Sequence, residues 1–182
     1  ERLGHHIHGE RWANTIKETL REQGIIHRPV HIISANMHSI MNSLFAQRAL
    51  KKEFKECDNL KIYEALRSPS NLAIQDKVNA TAVKNGMIFI KDSSGTSIDV
   101  QIFDTAKFAD GVCVYELPKD LPNKKKPIIF VMDYAFGEQA FETIDELLKP
   151  YSLKKNLLVF LNVDSISIMG KAGILEGGKG DL

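Results

Sequence analysis

Ile128, Ile129, Phe130, Val131, Met132, then Asp133, Tyr134, Ala135, Phe136, Gly137: this stretch decides the fold. Five apolar residues in a row fit a strand buried on both faces of a largely parallel sheet, because a strand with one wet face would alternate. Gly137 opens a turn, and from about Glu138 the residues Phe141, Ile144, Leu147 and Leu148 fall on one face of a helix that Pro150 stops. Leu157 to Leu161 is again apolar throughout, so the segment is expected to close as a βαβ unit with a right-handed crossover.

Working outward toward the N-terminus, Val112, Val114 and Leu117 alternate with Cys113, Tyr115 and Glu116 as a further strand, and a polar loop runs from Pro118 to Lys126. Met87 to Lys91 and Ile98 to Phe103 read as a β-hairpin around Asp92, Ser93, Ser94 and Gly95. A boundary is placed near Lys84. The expected fold is α/β: a mixed sheet flanked by helices over 84–182, preceded by a mostly helical region over 1–83. Within that region Trp12, Ile16 and Leu20 form a helical stripe over Glu10 to Gln23, ended by Gly24. Val30 to Ile33 is a short strand, and Asn36 or Ser34 caps a helix expected to run to about Phe54. Ser68, Pro69 and Ser70 break Leu60 to Val83 into two short helices.

Composition narrows the function. The 182 residues carry 24 Lys and Arg against 23 Asp and Glu, so no global field draws the chain onto nucleic acid or an anionic membrane. The apolar runs end far short of the ~20 residues a membrane helix needs. Cys57 and Cys113 match neither a zinc spacing nor a disulfide framework, which suits a reducing, cytoplasmic setting. His5, His6 and His8 with Glu10 could bind a metal but are read as a solvated start before the first helix, and no metal or cofactor is expected. His31 and His38 are read as ordinary boundary histidines. Ser34 and Ser39 lie near His38 without a triad acid. With no initiator Met at Glu1 and a glycine turn at Gly177 to Asp181, sequence is expected beyond both ends.

Two segments could carry chemistry. Phe136, Gly137 and Glu138 lie where a buried strand ends and a helix begins, the usual place for ligands of open α/β sheets. Glu138 either stabilises the first helical turn or accepts hydrogen bonds from ribose hydroxyls. Met169, Gly170, Lys171, Ala172 and Gly173 end an apolar strand in Gly-x-x-Gly, which brings bare backbone close to anything lying over the sheet. Lys171 either binds a phosphate or pairs with a carboxylate such as Asp181.

That glycine-rich strand end, followed by Gly180 and Asp181, resembles a motif of nucleoside phosphorylases and AMP nucleosidases, and order and spacing agree over about Pro127 to Leu182. The chain also resembles large uncharacterised bacterial proteins whose C-terminal half is phosphorylase-like, notably over His31 to Asn42 and Ile168 to Asp181. The resemblance implies a homo-oligomeric protein that binds a purine nucleoside or nucleotide, with or without phosphate, and cleaves the N-glycosidic bond. Phe136 to Glu138 and Met169 to Gly173 would line the pocket, and the ribose-clamping glutamate and the acid that protonates the base would follow Leu182. Two departures stand out. Phe136, Gly137 and Glu138 replace the family's usual Gly-x-Gly turn with a following hydroxyl, which bears on inorganic phosphate more than on water as nucleophile. Lys171 and Ala172 stand where Cys or a second Gly is common. The rivals are a nucleotide sensor without the chemistry and a structural domain whose sheet serves oligomerisation.

Overall fold

A computed structural model describes residues 2–54, 58–111, 120–133, 137–154 and 157–169. Its centre is a five-stranded mixed sheet in the order β2-β3-β4-β1-β7, made of β1 (Pro29–Ser34), β2 (Met87–Ile90), β3 (Val100–Asp104), β4 (Ile128–Met132) and β7 (Asn162–Ile168). β4 and β7 both run parallel to β1, whereas β2-β3 and β3-β4 are antiparallel. Among the described residues five helices accompany it: α1 (Arg2–Glu22), α2 (Met37–Ala49), α3 (Asn59–Arg67), α4 (Leu72–Lys84) and α5 (Gly137–Leu148). The mixed α/β class read from the sequence is therefore the class observed. The sheet runs across the boundary placed near Lys84, since one of its interior strands, β1, comes from before that point.

Alternation along the strands splits the core into two layers. Val30 and Ile32 of β1 and Ile128, Phe130 and Met132 of β4 face the layer that contains Trp12, Ile16 and Leu20 of α1 and Leu147 of α5. Ile33, Ile129 and Val131 face the other, with Met41, Leu44 and Phe45 of α2, Ile62 and Leu66 of α3, and Val78 and Ala82 of α4. Both faces of β4 are thus covered, which is why its sequence does not alternate.

Several local devices agree with the sequence. Gly24 ends α1 at φ 69°, and Ile25 N–H bonds back to Leu20 O at 2.9 Å, a left-handed cap that a residue with a Cβ takes at a cost. Asn36, not Ser34, caps α2, its side chain accepting from Ser39 N–H at 3.0 Å. The Asp92 carboxylate accepts from the N–H groups of Ser94, Gly95 and Ser97 at 2.8, 3.1 and 2.6 Å and so builds the β2-β3 loop. Partial burial works against that charge, but the bonds from Ser94, Ser97 and Gly95 outweigh it and hold the carboxyl below its ordinary range.

Other expectations need correction. α1 begins at Arg2, so His5, His6 and His8 lie inside the helix rather than before it, and the His8 ring bonds the Ser94 carbonyl. α2 stops at Ala49 rather than near Phe54, because Leu50 turns into the core while Lys51, Lys52 and Glu53 are exposed and offer no apolar stripe. Leu157–Val159 does not close a βαβ unit: it forms β6, paired antiparallel with β5 (Tyr151–Lys154) in a separate hairpin. The strand that returns to the sheet is β7, and it lands beside β1 rather than beside β4. Phe141 and Leu148 do not face the core, being 72% and 44% exposed. The inward face of α5 carries Thr143, Glu146 and Leu147 instead. The strand expected over Val112 to Leu117 lies outside the described residues.

α5 is fixed to α1 by a buried lysine. Lys17 is 1% exposed, and its Nζ donates to Glu146 O at 2.6 Å and Lys149 O at 2.7 Å, carbonyls in the last turn of α5 and just past its end. Burial pushes the Lys17 ammonium down to about 8, against the attraction of Glu146 and with the repulsion of Lys149. In the unfolded chain the group keeps its ordinary value of 10.5, so between about 8 and 10.5 the unfolded state holds more protons and stability rises with pH. Lys17→Met should cost ~2 kcal/mol at neutral pH by stranding the two carbonyls. The deficit relative to the parent should widen from pH 8 to 10, read by urea denaturation at several pH values. A deficit that stays constant or shrinks would contradict the assignment.

Candidate functional site

Three parallel strands end side by side at one edge of the sheet. β1 ends at Ser34, β4 at Met132 and β7 at Ile168, and the pairing continues past them: Ala35 N–H bonds Met132 O at 3.1 Å and Met169 N–H bonds Ser34 O at 2.8 Å. From this edge α2 leaves β1 toward one core layer, and α5 leaves β4 toward the other. Neighbouring parallel strands whose following helices depart to opposite faces define a topological switch point, the place where open α/β sheets bind ligands. Here it falls between β1, followed by Ala35 and Asn36, and β4, followed by Asp133. Asp133 is half-buried, its N–H bonds Asp99 O at 2.9 Å, and its carboxylate has no ion-pair partner among the described residues.

The candidate residues fall around this edge to the extent that they are described. Gly137 and Glu138 form the first turn of α5, directly after the loop that leaves β4. Met169 follows β7 with its side chain 53% exposed. Phe136, Gly170, Lys171, Ala172 and Gly173 lie outside the described residues. Of the two candidate segments, the described residues Gly137 and Glu138 follow β4 and Met169 follows β7, the two strands that flank β1.

Sequence reasoning passed over a feature next door. A cavity of about 470 Å³ lies on the α2 side of the sheet, beginning at Asn36 and His38 and reaching Tyr63 and Arg67 of α3 and Gln75 of α4. Ser39, Ser43 and Gln75 spend hydrogen bonds on the protein itself, to Asn36 Oδ1, Ser39 O, and Leu66 O with Ser68 O. His38, Asn42, Tyr63 and Arg67 have no side-chain hydrogen bond or ion pair among the described residues. Their signal in the sequence was faint: only proximity to a helix start marked His38, and the Leu60 to Val83 region has no periodicity that singles out Arg67. No three His, Cys, Asp or Glu side chains among the described residues are grouped to hold a metal ion.

An open mixed α/β sheet with a switch point between its parallel strands β1 and β4 is the class of architecture the chain adopts. The chain belongs to a family of unknown function, DUF6909, whose model matches residues 55–182. No curated protein and no solved structure matches it. Among the described residues no helix is long and apolar enough to cross a membrane.

Proposed function

We propose that this chain belongs to a cytoplasmic, homo-oligomeric protein that binds a purine nucleoside or nucleotide at the carboxyl edge of β4, β1 and β7 and cleaves its N-glycosidic bond. The observation that carries the reading is the switch point between the parallel strands β1 and β4, with Gly137 at the start of the helix that follows β4 and Met169 directly after β7. A glycine at Gly137 keeps the first turn of α5 free of a side chain where a sugar or ring would approach. Cleavage requires that the leaving base gain a proton or hydrogen bond while positive charge grows on the sugar, with water or phosphate as nucleophile. A sensing role without cleavage is the second reading. It is favoured by Glu138, an acid in the first turn of α5 where an anion would otherwise dock.

Incubating the full-length protein with AMP, inosine and adenosine, with and without phosphate, should release free base from at least one of them. Gly137→Val and Gly170→Val should each weaken purine binding by on the order of tenfold, about 1.4 kcal/mol, in calorimetry. Binding without base release would favour sensing. Absence of both, or unchanged affinity in both variants, would remove the reading.

A further inference from the structure

We propose that the cavity between α2, α3 and α4 is a binding site for a phosphate monoester, with Arg67 as its charged ligand. This inference does not rest on the nucleoside reading, because no residue of the cavity belongs to the segments 136–138 or 169–173. The volume, about 470 Å³, is in the range of small-molecule sites and well above what a bare ion needs. Its lining contains no Asp or Glu. Arg67 brings a fixed fork of donors suited to phosphate oxygens, and it has no carboxylate partner among the described residues. His38 and Asn42 on α2, and the Tyr63 hydroxyl across from them on α3, add donors with no side-chain partner among the described residues. The first turn of α2, where Met37 and His38 precede the Ser39 N–H that Asn36 caps, adds the positive end of a 13-residue helix.

A phosphate monoester presents three oxygens, and this set of donors exceeds what a carboxylate could use. Met41 and Leu66 supply an apolar floor, and the Tyr63 ring offers a face for the organic part of the ligand. Arg67 is exposed, with Ser68, Pro69 and Ser70 following directly, so its substitution does not disturb the core.

The test is calorimetric titration of the full chain with AMP, ribose 5-phosphate and adenosine, for the parent and for Arg67→Gln and His38→Gln. Arg67→Gln should weaken both phosphate monoesters by about 10- to 100-fold, the worth of a charged hydrogen bond, and leave adenosine unchanged. His38→Gln should weaken them less, and both variants should melt at the parent's temperature. Gly137→Val serves as the separating control. If Arg67→Gln lowers AMP affinity while Gly137→Val does not, the cavity stands and the nucleoside reading at the strand ends falls. The proposal is overturned if AMP and adenosine bind equally, if Arg67→Gln leaves AMP affinity unchanged, or if neither phosphate monoester binds.

Discussion

Asp104→Ala is expected to destabilise the protein by about 3–5 kcal/mol, the cost of leaving a buried charge without its counter-ion. Arg28, just before β1, and Asp104, at the end of β3, are 9% and 3% exposed, and Arg28 Nη1 donates to Asp104 Oδ1 at 2.6 Å. The same guanidinium donates from Nε to Lys126 O at 2.8 Å and from Nη2 to Pro127 O at 3.3 Å, so it ties the approach to β4 as well. Asp104 Oδ1 also accepts Ala106 N–H at 3.0 Å. Removing the carboxylate leaves the guanidinium with carbonyls alone and frees the turn after β3. Asp104→Asn keeps an oxygen acceptor and should lose less. Denaturant unfolding would measure both, and a loss under ~1 kcal/mol for Asp104→Ala would show that the pair only balances its own desolvation.

Trp12→Ala should cost a similar amount, about 3–5 kcal/mol, by emptying the contact between α1 and the sheet. Trp12 is 0% exposed and packs in the layer that holds Val30, Ile32, Phe130 and Leu147. Its Nε1 is buried and finds no hydrogen-bond partner among the described residues. A buried donor left unsatisfied costs free energy in the native state, so a ring of similar shape without the N–H recovers part of what its smaller volume loses. Trp12→Phe is therefore expected to lose less than ~2 kcal/mol. If the Phe variant proved as unstable as the Ala variant, an acceptor for the indole N–H would have to exist.

The sequence was most legible where structure is determined locally. The Asn36 cap, the Gly24 stop, the break at Ser68 to Ser70 and the turn at Asp92 to Gly95 each depend on residues within one turn of each other. β4 was legible because its burial on both faces writes itself as an unbroken apolar run. The same rule misled at Leu157 to Leu161, where an apolar run forms part of a small hairpin and Leu158 and Phe160 stay largely exposed. The strand that joins the sheet begins at Asn162, reads as mixed because it lies at an edge, and slips its register beside Val30 and His31. α5 shows a different limit. Of its apolar stripe, Leu147 is buried and Ile144 packs on the core, but Phe141 and Leu148 are exposed, while the polar Thr143 and Glu146 are buried and Lys17 reaches across to the helix end. A lysine that serves as a helix cap for a partner more than a hundred residues away leaves no local mark. The α2–α3 cavity was missed for the same reason, because Asn36 and Arg67 meet only in three dimensions.

The interior position of β1, between β4 and β7, governs the order in which the molecule can be assembled. Both neighbours come roughly 100 and 130 residues later in the chain, so β1 has no strand partner while the first half emerges from the ribosome. The helices α2 to α4 and the β2-β3 hairpin can form early from contacts close in sequence, but the parallel core must wait for Asn162 to Ile168. A nascent chain stopped before that point would hold β1 with one edge open, its N–H and C=O groups on that side unpaired by any strand.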